Sequence, residues 1–247
     1  MKIADITYEA LDDFWKSIEL DLKEMPTLED AAQCFASGLY NAFRESIVLV
    51  RVFATIAHAS LPKRERDFAA SFARNAGAEE HLQASTTVLT LLGTDGAEDA
   101  WKDRLESQGH LATPLISEAF VRDIPMISRL LAEIGFQPEW NAPSKTAFVT
   151  KALVSVNGIF FVADAAHTRD ELDRKIIPAV DFVERYGVEA VFGFGGSYLS
   201  QAMFVAAIIF CREPLARSDA MKFVPLISTL KAATTGLVKR SKLFRQR

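Results

Sequence analysis

The run at residues 47–56, IVLVRVFATI, is what this chain has to fold around. Its apolar residues follow one another without the polar alternation of a half-exposed strand. They are also β-branched or aromatic, so the run reads as a central strand buried on both faces. Such a strand needs a layer of structure on each side, and the sequence offers helices. Leu11, Trp15, Ile18, Leu22 and Met25 recur at helical spacing and stop near Pro26. Thr27 then precedes Leu-Glu-Asp as the amino-terminal cap of a second helix reaching about Arg44.

Further along, residues 63–77 predict a charged helix, and STTVLTLL at 85–92 a second strand closed by the glycines of 93–96. A third helix is expected over 127–134, with Pro125 in its first turn and Gly135 as its stop. Residues 137–145 read as a connection, and 146–155 and 158–163 as consecutive strands joined by an Asn157-Gly158 hairpin turn. Thr168-Arg169-Asp170-Glu171 has the form of a capping box, so a helix is expected there, interrupted by Pro178 and followed by a short helix ending at Tyr186-Gly187. Residues 188–194 and 203–212 predict two more strands, and Phe223, Ile227, Leu230 and Leu237 a long terminal helix containing Pro225. Helices at both ends around an antiparallel sheet define an α+β fold, without the strand-helix alternation of doubly wound proteins.

Composition narrows the function classes. A chain of 247 residues with 49% hydrophobic content can bury a real core as one large domain, with or without a helical extension. The net charge of -4 is spread along the chain, apart from a modest basic cluster at Lys239, Arg240, Lys242, Arg245 and Arg247, so a nucleic-acid partner is not expected. Cys34 and Cys211 are isolated in apolar surroundings, which fits a reducing compartment and neither a zinc ribbon nor a disulfide framework. The first residues are acidic and amphipathic rather than leader-like, and the apolar run at 203–211 is about half the roughly 20 residues a membrane-spanning helix needs. A cytoplasmic protein without membrane insertion is the expectation.

Val191-Phe192-Gly193-Phe194-Gly195-Gly196-Ser197-Tyr198 interleaves glycines with aromatics and suggests a shaped bend at the lip of a pocket. It has neither the GxGxxG spacing nor the Lys-Ser/Thr of a phosphate loop. Together with Glu45-Ser46-Ile47-Val48-Leu49-Val50-Arg51-Val52-Phe53, Trp101 with Arg104, Ser107-Gln108-Gly109-His110 and Ile124-Pro125-Met126-Ile127, the Phe192-Gly193-Phe194-Gly195-Gly196 segment resembles bacterial GAF-like sensory modules of the GAF/PAS superfamily. The resemblance spans residues 27–238, leaving an amino-terminal amphipathic helix at 1–26 and a basic tail at 239–247. It implies a ligand pocket between the sheet and its crossing helices, with terminal helices that pair in a homodimer and carry the signal. No kinase, cyclase or DNA-binding domain follows the terminal helix, so output is expected through a separate signalling partner.

Trp101, Arg104, Ser107 and His110 form a compact polar set that a helix would bring to one face, toward an anionic or aromatic ligand. The bland alternative has Arg104 paired with Asp103 or Glu106 on a solvated surface, Trp101 in the core and His110 capping a helix. Arg51 interrupts the apolar strand and needs a counter-charge: a carboxylate such as Asp164, or a bound anion. The candidate ligand-binding set is Arg51, Trp101, Arg104, Ser107, His110, Phe192, Phe194 and Tyr198. No HExxH or Cys-His spacing signals a metal site, and no GxSxG elbow or Cys-His pair signals a nucleophile, so catalytic residues are not assigned. Two other readings use the same pocket. One is a haem protein or enzyme with His58, His110 or His167 as axial ligand or acid-base group; the other is a ligand-free interaction subunit.

Overall fold

The computed structural model describes residues 1–107, 109–136, 158–198 and 203–246. Two helices, α1 (Tyr8–Lys23) and α2 (Leu28–Phe43), lead into strand β1 (Ile47–Ala57), followed by α3 (Lys63–Asn75) and β2 (Thr87–Gly96). A short β3 (Ala112–Pro114), α4 (Glu118–Arg122) and α5 (Pro125–Ile134) come next, then β4 (Ile159–Val162) and α6 (Val180–Tyr186). β5 (Ala190–Ser197), β6 (Phe204–Cys211), α7 (Arg217–Met221) and α8 (Leu226–Lys239) complete the described elements. The strands form one sheet in the order β3-β2-β1-β6-β5-β4, and every pairing is antiparallel. The fold is α+β, an antiparallel sheet flanked by helices, with α1 and α8 packed together.

β1 and β6 lie at the centre, which is why their sequences are the most continuously apolar. Alternate residues feed two separate cores. Val50, Val52 and Ala54 of β1 join Phe192 and Phe194 of β5 beneath α1, α2 and α8. Leu49 and Phe53 join Ile208 and Phe210 of β6 on the other face, with Leu130 of α5 and Val183 of α6. Each fully buried Leu, Ile, Val or Phe contributes about 1.5–3 kcal/mol, so both faces of the sheet are strongly held.

Local signals set most of the boundaries. The Thr27 hydroxyl accepts from Asp30 N, Pro125 occupies the first turn of α5, and Gly135 and Gly187 close α5 and α6 in the left-handed conformation. At β4, the outermost of the described strands on that side, the backbone N–H of Phe161 donates to Glu133 Oε2 at 3.0 Å, and Arg129 Nη2 donates to the Phe161 carbonyl at 3.0 Å. The chain also returns to its beginning: Leu28 N donates to the Lys242 carbonyl and Glu29 N to the Leu243 carbonyl, each at 2.9 Å.

Three expectations are corrected. The glycine and aromatic segment is not a bend but strand β5, paired along its length with β6. Glycine is needed at position 195 for a different reason: a β-carbon there would lie 2.5 Å from the Phe204 ring. β2 likewise continues through Gly93 to Gly96 instead of closing before them. Thr168 to Glu171 caps no helix; Asp170 accepts from the backbone N–H of Leu172 and Arg174, making a tight turn, and the helix begins only at Val180. Residues 146–155, and Asn157 of the expected hairpin turn, lie outside the described residues.

Candidate functional site

A cavity of about 470 Å³ opens on the sheet face opposite the terminal helices. Its floor is the sheet itself, with Leu49, Arg51 and Phe53 of β1, Leu89 of β2, Thr113 of β3, and Ile208 and Phe210 of β6. One wall comes from Ile124, Met126 and Ile127 at the start of α5, the other from residues 177–179 and Phe182 leading into α6. Its volume falls within the roughly 300–1,000 Å³ of sites that enclose small molecules, and most of its lining is apolar.

Trp101 stands in a 3-10 turn just after β2 and closes one end. Its ring meets Phe182 edge-on at 5.6 Å and Tyr186 at 4.8 Å, and Phe182 in turn meets Phe210 at 5.4 Å. These contacts hold an aromatic wall in one orientation.

Two polar groups converge on this apolar space. Arg51 lies at the middle of β1, between Thr94 of β2 and Ile208 of β6. Among the described residues its buried Nε has no hydrogen-bond partner, and no carboxylate pairs with it. Burial lowers its pKa to about 10, which leaves the guanidinium charged at neutral pH. His110 precedes β3 and presents accessible surface that borders the cavity. Desolvation by the surrounding walls, reinforced by the charge of Arg51, pushes its pKa down to about 4, so the imidazole is neutral near pH 7. The carboxylate expected for Arg51 is not supplied by Asp164, whose oxygens take His167 Nδ1 at 3.0 Å and the backbone N–H groups of Ala166 and His167.

Of the eight residues singled out from sequence, Arg51, Trp101 and His110 line the cavity. Arg104 does not. It is buried beside α2 and α3, with Nε 2.9 Å from Glu29 Oε1 and Nη1 2.6 Å from Glu65 Oε1, so its partners are neither Asp103 nor Glu106 and the pairing is not on a solvated surface. Its segment forms short 3-10 turns, so the helical face that would have gathered Trp101, Arg104 and Ser107 does not exist. Ser107 is off the lining, and its Oγ is buried without a partner among the described residues. Phe192, Phe194 and Tyr198 lie in the core under the terminal helices, on the other side of the sheet. There the Tyr198 hydroxyl shares a 2.7 Å hydrogen bond with Thr234 of α8, and burial raises its pKa to about 12.

The sequence reading missed the apolar lining. Ile124, Met126 and Ile127 sat within a segment already noted for its resemblance, but nothing local marked them as wall. Ile177, Phe182 and Phe210 had no signal beyond being apolar. The remaining histidines lie elsewhere: His58 in the turn after β1, His81 in a 3-10 turn after α3 and His167 in the exposed Asp164 loop. Burial raises the pKa of both cysteine thiols, Cys211 well above the usual range, so neither is an activated nucleophile. Among the described residues no cluster of His, Cys, Asp and Glu could hold a metal ion, and no helix is long and apolar enough to cross a membrane.

An α+β domain with an apolar, single-arginine cavity between its sheet and crossing helices is the class of molecule this arrangement defines. The chain has the GAF fold. Over 96% of its length it is similar to the phycocyanobilin-bound GAF domain from a cyanobacterial phytochrome, 98% of which is covered, at 11% identity and a TM-score of 0.50. The GAF domain from Acinetobacter phosphoenolpyruvate-protein phosphotransferase is similar over 96% of this chain and 100% of that one, at 12% identity and a TM-score of 0.48. Free methionine-R-sulfoxide reductase from Neisseria meningitidis, in complex with its substrate, aligns over 96% of both chains at 10% identity and a TM-score of 0.46. No family model matches the sequence, and no curated protein matches it.

Proposed function

We propose that this chain is a cytoplasmic regulatory module of GAF type that binds a small molecule in the cavity between its sheet and the α5 and α6 segments. The observation that carries the reading is the cavity itself: an apolar space of about 470 Å³ into which Arg51 and His110 converge. Mostly apolar walls with a few convergent polar groups are the usual make-up of a ligand site. Binding is favoured over catalysis because burial raises the pKa of both thiols and leaves neither activated as a nucleophile. The signal passes through α1 and α8 to a separate partner, with Tyr8 and Leu20 leaving apolar surface of α1 in solvent for a second copy of the chain.

Native mass spectrometry of the purified protein, with an absorption spectrum of the same sample, tests this directly. A stoichiometric small molecule on a dimer, whose addition raises the unfolding temperature, is the expected result. A monomer that retains nothing, and whose unfolding temperature no metabolite fraction raises, would instead mark an interaction subunit with an unused pocket.

A further inference from the structure

The cavity lining specifies the charge of its occupant. Among the described residues around it, Arg51 is the one cation and no carboxylate is present. A guanidinium in such surroundings is costly unless something completes its hydrogen bonds, and its Nε has no partner among the described residues. A neutral occupant can complete those hydrogen bonds but leaves the charge uncompensated, and a cation adds repulsion. An occupant with two negative charges leaves one of them uncompensated against Leu49, Phe53 and Ile208, because Arg51 is the one permanently charged group in the lining. Thr113 and His110 offer further hydrogen bonds without altering the count.

We propose that the cavity selects a largely apolar small molecule with a single anionic head, the head oxygens on the Arg51 guanidinium and the body against the Trp101, Phe182 and Phe210 rings. This rests on the reading of the cavity as a ligand site. Carboxylates and phosphate monoesters both supply such oxygens. They differ in protons: a carboxylate binds without proton exchange, whereas a phosphate monoester near its second ionisation takes up a proton to arrive with one charge.

Calorimetric titration of a panel of apolar acids from phenylbutyrate to decanoate, each beside its primary amide, separates the outcomes; phenylpropyl phosphate is run in buffers of different ionisation enthalpy. The intact protein should bind at least one acid about tenfold or more tighter than its amide, the scale of a charge-assisted hydrogen bond. Arg51→Met should erase that preference with the circular dichroism spectrum unchanged, and Arg51→Lys should restore part of it. Buffer-dependent heat with the phosphate that persists in His110→Asn assigns that head group to the site as a monoanion. Tight phosphate binding without proton uptake overturns the single-charge rule. Equal affinity for acid and amide, or a preference that survives in Arg51→Met, overturns the role of Arg51 and leaves the cavity a ligand site. If neither acids nor amides bind the intact protein, the ligand-site reading falls as well.

Discussion

Arg104 and Arg51 are two buried guanidinium groups with opposite surroundings, and they should respond oppositely to removal. Arg104 lies between Glu29 and Glu65, all three side chains at most 4% exposed. Burial works against its charge, but the hydrogen bonds and charges of Glu29 and Glu65 prevail and hold its pKa above the ordinary arginine value. Arg104→Ala deprives two buried carboxylates of their cation, which should cost about 3–5 kcal/mol and be visible as a lower urea midpoint or outright failure to fold. His110 yields a prediction in pH. Its pKa is lowered from 6.5 to about 4 by desolvation against the cavity walls and then by the charge of Arg51, so on acidification the unfolded chain gains a proton before the folded one does. The folded state therefore has the full contribution above the unfolded value and loses it as pH falls from 6.5 toward 4. Thermal unfolding temperatures measured across that window should decline less steeply in His110→Asn; identical slopes would mean that His110 titrates normally.

At the level of elements, α2 rests directly on β2 because Gly93 has no side chain. A β-carbon at Gly93 would stand 2.3 Å from the backbone carbon and oxygen of Ala32. Backbone cannot rotate aside, so Gly93→Ala should displace α2 and destabilise by about 1–3 kcal/mol or more, measured by denaturant unfolding. The same close approach explains why glycine misled the sequence reading. Glycines at 93–96 and 193–196 looked like turn residues, yet in β2 and β5 they sit within paired strand, where they make room for α2 and for the Phe204 ring. Signals confined to a few residues were legible: the Thr27 cap, the Pro125 entry and the Gly135 and Gly187 stops act through their own backbone. Thr168 to Glu171 carried an equally local signal, but Asp170 spent its side chain on a turn, and no apolar face at helical spacing followed to pull the segment into a helix. The site was legible where a residue contradicted its surroundings, as Arg51 did within an apolar strand. Walls assembled from α5, the approach to α6 and β6 exist only once the chain has closed on itself.

Across the whole molecule, a single layer of strands separates the cavity from the terminal helices. β1 presents Arg51 to the cavity, while its neighbours Val50 and Val52 belong to the core under α1, α2 and α8. Any occupant that draws on Arg51 therefore pulls on a strand whose other face supports the helices proposed to signal. Such a pull becomes regulation only if two packings of those helices bind the occupant with different affinity. The carboxy-terminal residues supply a natural second contact, since Lys242 and Leu243 accept hydrogen bonds from the start of α2 and Arg245 pairs with Asp30 at 2.5 Å. With saturating ligand, amide exchange should slow in α1 and α8 as well as around the cavity; slowing confined to the cavity segments would sink the terminal-helix route. Linkage then requires the reverse effect. Ending the chain after Arg240 removes the contacts that tie the tail to α2, and ligand binding should weaken by about fivefold or more if the docked arrangement is the one that binds. An unchanged dissociation constant in that shortened chain would show that the two faces of the sheet are energetically independent.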